Sequence, residues 1–140
     1  MTSSTLKYII VFATYLTTDM GYQFAIGMQW AAKLQKKAGI KYMFADSVQH
    51  PWMMGLWFII MTIAIIHFAI NPALEQKNKS IAIKNAFLLG LLAYGTLALA
   101  NGWSIKSYPS GLVFEIMLEG MLFPTITAAV ATSIFMRQTS

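Results

Sequence analysis

The run from Trp52 to Ile70, WMMGLWFIIMTIAIIHFAI, contains a single ionisable side chain, His67. About 20 mostly apolar residues in a helix are enough to cross the hydrocarbon core of a bilayer. A run this apolar is predicted to span a membrane as a helix over 52–70. Pro51 precedes it at a position where helices tolerate proline, and Asn71-Pro72 is expected to end it. A second run, centred on AFLLGLLAYGTLALA, predicts a helix over 81–100 with Asn101-Gly102 as its stop.

Two further spans are less pure. Tyr8 to Leu16 is apolar all round, but Thr17, Thr18, Asp19, Gln23 and Gln29 interrupt the rest of a predicted helix over 8–30. The last, over 112–135, contains Glu115, Glu119 and Pro124. A proline is tolerable there if neighbouring groups satisfy the carbonyl it frees. The expected fold is therefore an all-α integral membrane protein, a four-transmembrane-helix bundle forming one domain over residues 1–140. A three-span chain is the main competitor. No cleavable signal is evident ahead of Tyr8, so the first helix is expected to stay in place.

Charge supports this class. Only 11% of the 140 residues are charged, against about 25% in soluble domains. The ten Lys and Arg fall in predicted loops, at the termini or, for Lys84, in the first turn of a predicted helix, whereas three of the five acids fall inside apolar stretches. Basic loops of this kind favour anionic lipid headgroups. Nucleic acid is excluded as a partner, because no basic stripe is interleaved with stacking aromatics.

Between the first two spans, residues 31–50 carry Lys33, Lys36, Lys37 and Lys41 among Leu34, Ile40, Met43 and Phe44. That pattern suits a basic helix in the headgroup plane, or a solvated loop weakened by Gly39. With four spans, Lys7, Lys77, Lys79, Lys84 and Arg137 share the side of the N-terminus. Lys33, Lys36, Lys37, Lys41 and Lys106 share the other. An even split leaves the positive-inside rule without a preferred orientation. Trp30, Trp52 and Trp103 all fall at the second boundary, as an aromatic belt would. Asn78-Lys79-Ser80 matches a glycosylation sequon. Gly90 and Gly95, with Ala128, Ala129 and Thr132, are the small residues expected to let helices approach closely. Four short helices bury little of one another, so association into a homo-oligomer or with a membrane-complex partner is expected.

The acids inside the spans are the candidate functional residues, because intramembrane charge is costly. At about 1.5 Å of rise per residue, Glu115 lies roughly 5 Å from the second boundary, Glu119 roughly 10 Å, Asp19 roughly 16 Å and His67 roughly 22 Å. Glu115 and Glu119 are four apart and share a helix face. Two carboxyls so close in low dielectric do not both ionise readily, which suits holding one proton or cation between them.

The competing readings are structural. Glu115 is a near-interface acid reaching water, Glu119 and Asp19 are neutral acids bonded to neighbouring helices, and His67 packs with one hydrogen bond. Thr14, Thr17, Thr18 and Gln23 are the expected local partners of Asp19, and Gln23, Tyr94 and Asn101 could complete a polar interior. His50 reads as a boundary residue. No metal or other cofactor is expected: the chain has no cysteine and no Glu-x-x-His pair. Nor is there a nucleotide loop, a Gly-x-Ser-x-Gly elbow or a His-Glu-x-x-His sequence.

These residues also carry a resemblance. Asp19 is followed three residues on by Tyr22, and the second helix ends in Pro72-Ala73-Leu74. The third holds Ala93-Tyr94-x-Thr96 with Asn101, and the fourth opens on the acid Glu115. In this order of features the chain resembles an uncharacterised family of small four-helix membrane proteins, a domain of unknown function. It departs from the family pattern at Leu97-Ala98, where the family prefers Tyr-Asp. It departs again at Glu115 to Glu119, where the family carries Asp-x-x-Trp-Gly. The resemblance implies the fold and points to the same acids, and it implies no activity. The leading functional reading is an oligomeric channel or transporter subunit for protons or small cations, with Asp19, Glu119, Glu115 and His67 on its path. An accessory subunit of a larger complex is the alternative. A small lipid-acting enzyme is the least supported, because no nucleophile or phosphate cradle is recognisable.

Overall fold

A computed structural model describes residues 4–39 and 51–138, and within them the chain is helical apart from short turns. The first helix is α1 (Ser4–Tyr22), which passes through a π-helical turn (Gln23–Gly27) into α2 (Met28–Ala38) without a break. Next comes α3 (Pro51–Ala64), which likewise passes through a π turn (Ile65–Ile70) into α4 (Asn71–Glu75). α5 (Lys79–Ser104) and α6 (Ser110–Gln138) form the most extensively packed pair.

Three helices are long and apolar enough to cross a membrane: Trp52–Glu75, Lys79–Ser104 and Ser110–Gln138. Their outward faces carry large apolar side chains such as Ile59, Phe68, Leu92 and Leu122, all exposed. Water would penalise such a surface, and lipid does not. α1 with α2 is more polar, yet it lies along the other helices over their length. Tyr8 meets His67, and Phe12 and Tyr15 pack edge-on against Phe58, so α1 runs antiparallel to α3. Tyr22 packs on Phe123, Gln23 meets Glu119, and Leu34 lies against Gly111, so it also runs antiparallel to α6.

The α5–α6 contact shows why small residues are needed. Pro124 lacks an N–H, so the carbonyl of Gly120 loses its helical partner. The backbone of α5 sits against that carbonyl at Gly90, so closely that a Cβ there would overlap the Gly120 oxygen. A Cα–H···O contact is the interaction such an approach permits. Gly95, Ala128 and Thr132 are also buried, and Ala129 is half-buried.

Several sequence-based boundaries are corrected. Asn71-Pro72 does not end the second apolar helix, which continues to Glu75. Pro72 should leave the Phe68 carbonyl orphaned, but Asn85 of α5 donates its side-chain amide to that oxygen at 2.9 Å. The preceding π turn absorbs the remaining irregularity, with Asn71 N–H reaching back to the Ile66 carbonyl. α5 likewise runs past Asn101-Gly102 to Ser104, and α6 exceeds 112–135 at both ends.

Residues 31–38 do not form a separate interfacial element. They continue the first helix, with Ala31 and Gln35 buried and Lys33, Lys36 and Lys37 exposed. Gly39, at φ +70°, stops it in the left-handed region that glycine adopts without strain. The remainder of the basic segment, residues 40–50 with Lys41 and His50, lies outside the described residues.

The turn between α4 and α5 is tight. Asn78 N–H bonds the Ala73 carbonyl and Lys77 N–H the Leu74 carbonyl, a Schellman closure with Lys77 at φ 49°. The Asn78 side chain then accepts from Ser80 N–H and caps α5, so the sequon asparagine is engaged as a helix cap.

Candidate functional site

On α1, Val11, Tyr15 and Asp19 recur every four residues and are the buried positions of that helix. On α6, Glu115 and Glu119 lie on the buried face with Leu112 and Phe123. The two faces meet. Asp19 and Glu119 are each 9% exposed and Glu115 is 3% exposed, so three of the chain's five acids share one interior. They are close enough to interact electrostatically, Glu119 with both Asp19 and Glu115. No ion pair between any of them and a basic residue is found among the described residues.

Gln23 donates its side-chain amide to Glu119 Oε1 at 3.0 Å and bridges α1 to α6. The π turn that begins at Gln23 aims it there, and single π turns of this kind often mark functional positions. Gly27 makes the geometry possible: a Cβ would lie 2.6 Å from Gln23 Oε1 and 2.9 Å from Tyr22 Cε1. Tyr22 interacts electrostatically with Glu115 and Glu119. Both carboxyl oxygens of Glu115 are buried, and the Tyr22 hydroxyl is the neighbouring group placed to donate to them. Glu115 is therefore no water-facing acid at the boundary. At that end of the bundle, burial pushes the Tyr108 phenol up from its ordinary value. Neighbouring Asn101 opposes the shift, and Glu115 adds to it.

Toward the other end, the Tyr15 and Tyr94 hydroxyls share a hydrogen bond, and Trp57 donates its indole N–H to Tyr94 at 3.4 Å. Beyond them, Thr62, Thr127 and Thr132 bury hydroxyls that have no partner among the described residues. Their behaviour differs from that of the outward hydroxyls. Thr14, Thr18, Thr96, Thr125 and Ser133 each donate to the carbonyl four residues earlier in their own helix. The interior threonines leave that bond unmade, although an unpaired buried hydroxyl is costly.

Not every residue expected at the site is there. Thr18, with Thr14 and Thr17, lines a groove on the outer surface of α1 and does not partner Asp19. His67 is exposed and hydrogen-bonds the Tyr8 hydroxyl at 3.0 Å, on the opposite side of the tyrosine pair from the acids. Asn101 and Gln23 are half-buried, Asn101 near the end of α5 beside Tyr108, and Tyr94 is buried. Among the described residues no three His, Asp or Glu side chains have metal-binding geometry.

Sequence reasoning misses Tyr15, Trp57 and Gln35, and names Tyr22 only as part of the family pattern. Tyr15 carries a usable signal, because it stands four residues before Asp19 on the same face. Gln35 is 2% exposed with both amide atoms unpartnered among the described residues, and it extends the polar face of the first helix.

The family model described as Predicted membrane protein (DUF2177) matches residues 4–133. The chain belongs to that family. The match takes in α1 with its Asp19 as well as the three apolar helices, and every acid of the interior cluster falls within it. A search of curated proteins and a search of solved structures each return no match. DUF2177 membership establishes a predicted membrane protein and assigns no activity.

Proposed function

We propose that this DUF2177 protein is a channel or transporter subunit that moves protons or small cations along an interior acidic path, with α1 and α2 together forming a fourth membrane span. The observation that carries this reading is the meeting of Asp19, Glu115 and Glu119 in one interior without a cationic partner among the described residues. Three carboxyls so placed are not all ionised together, so they hold a proton or a cation in common. Acids facing a bundle interior are the usual parts of proton relays in membranes. The polar groups on either side give the cluster continuity: Gln35 and Tyr108 toward one end, Tyr15, Tyr94 and the unpaired threonines toward the other. His67 stands off this line and is not assigned to it.

The chain's own helices bury only part of their surface, which is why the subunit is expected to work as a homo-oligomer or beside a membrane partner. Reconstitution into liposomes loaded with a pH- or cation-sensitive dye tests the proposal. Proton or cation flux down an imposed gradient is expected for the wild type, and Asp19→Asn or Glu119→Gln should remove it. A flux equal to that of empty liposomes, with a stoichiometric partner protein recovered in mild detergent, would favour the accessory-subunit reading instead.

A further inference from the structure

A second polar feature lies at the far end of the bundle from Glu115, where α5 begins and α6 ends. Lys79 and Arg137 flank a surface groove of about 280 Å³ whose other lining residues are Ala129, Val130, Ser133 and Ile134. Both cations are exposed, and neither is paired with an acid among the described residues. The Schellman turn and the Asn78 cap fix the start of α5, which sets Lys79 beside the last turn of α6.

Chemistry within the groove is one-sided. Ser133 spends its hydroxyl proton on the Ala129 carbonyl at 2.7 Å, so the two cations supply the groove's side-chain donors. Its lining includes no acid among the described residues. Beside the cations the groove's lining is apolar at Ala129, Val130 and Ile134, and exposed apolar residues continue beyond it. Val130 and Ile126 continue the Arg137 side of α6 at helical spacing, each 43% exposed, and Ile83 continues the Lys79 side of α5 at 38%. Cationic pockets between membrane helices suit phosphate headgroups, and an adjoining apolar crevice suits an acyl chain.

We propose that this groove binds an anionic phospholipid, with its phosphate between Lys79 and Arg137 and one chain laid along the α5–α6 crevice. The occupant is a lipid rather than free phosphate because two flexible surface cations form no enclosed anion cage, while the adjoining crevice offers apolar contact that an inorganic ion cannot use. The site is independent of the acidic path.

Native mass spectrometry of the full chain in detergent tests it, with phosphatidylglycerol and phosphatidylcholine of identical chains as probes. Phosphatidylglycerol should bind in preference. In the double variant Lys79→Ala and Arg137→Ala its affinity should fall about 10- to 30-fold, because both cations that face the phosphate are removed. Lys36→Ala, which removes a cation at the other end, should leave it unchanged. Val130→Trp should weaken binding with the charges intact, because it fills the crevice. Equal binding of the two lipids, an undiminished affinity in the double variant, or displacement of the lipid by millimolar inorganic phosphate would each overturn the proposal. Thermal stabilisation by added phosphatidylglycerol, present in the wild type and lost in Arg137→Gln, provides a second readout.

Discussion

Replacing Gly90 by alanine probes the close approach of α5 to the Gly120 carbonyl of α6. The new methyl would overlap the Gly120 carbonyl oxygen, with the Gly120 carbonyl carbon at 2.7 Å and Pro124 Cγ at 3.1 Å. None of these atoms belongs to a flexible side chain, so the two helices themselves must move apart. Overpacking of a core commonly costs about 1–3 kcal/mol, and a backbone obstacle places this case at the upper end, about 2–3 kcal/mol. Gly95→Ala is the matched control. Its methyl would lie 3.7 Å from Leu91 Cδ1 and 4.0 Å from Met117 Cε, which is ordinary contact. Alanine is also the better helix former by roughly 0.5–1 kcal/mol, so Gly95→Ala should be neutral or mildly stabilising. Equilibrium unfolding in mild detergent, followed by tryptophan fluorescence, measures both. Equal stability of Gly90→Ala and wild type, or equal damage from the two substitutions, would refute the crossing geometry.

Other expectations follow from the same packing. Asn85→Leu should cost about 1 kcal/mol, because it orphans the Phe68 carbonyl that Pro72 has already freed. In Pro72→Ala, where the N–H is restored, the same change should cost measurably less, and a double-mutant cycle in unfolding assays reads the difference. His67→Ala should leave proton flux at the wild-type rate, because His67 bonds Tyr8 away from the acid cluster; a loss of flux in the liposome assay would return His67 to the path.

The apolar runs made three of the helices legible, because a stretch such as Trp52 to Ile70 is long and apolar enough to cross a bilayer as one helix. Asp19 and Glu119 were legible as interior residues for the complementary reason: a charge within such helices must find company. The helix ends were less legible. Pro72 is a local stop signal, and what overrides it is Asn85, a residue of another helix brought close only by folding. The π turns at Gln23–Gly27 and Ile65–Ile70 leave no periodic trace, yet one of them aims Gln23 at Glu119. Depth alone ordered His67 with the acids. Rotation about the helix axis, which depth does not report, sets it on the outer surface with Tyr8. Rotation likewise turned Thr14, Thr17 and Thr18 outward, although they neighbour Asp19 in sequence.

Proton flux into liposomes containing the purified protein is the most direct test of the interior path. Wild-type protein should acidify the lumen faster than empty liposomes, whereas Asp19→Asn and Glu119→Gln, each shown to be folded by detergent unfolding, should not. Full flux in both folded variants would contradict the path.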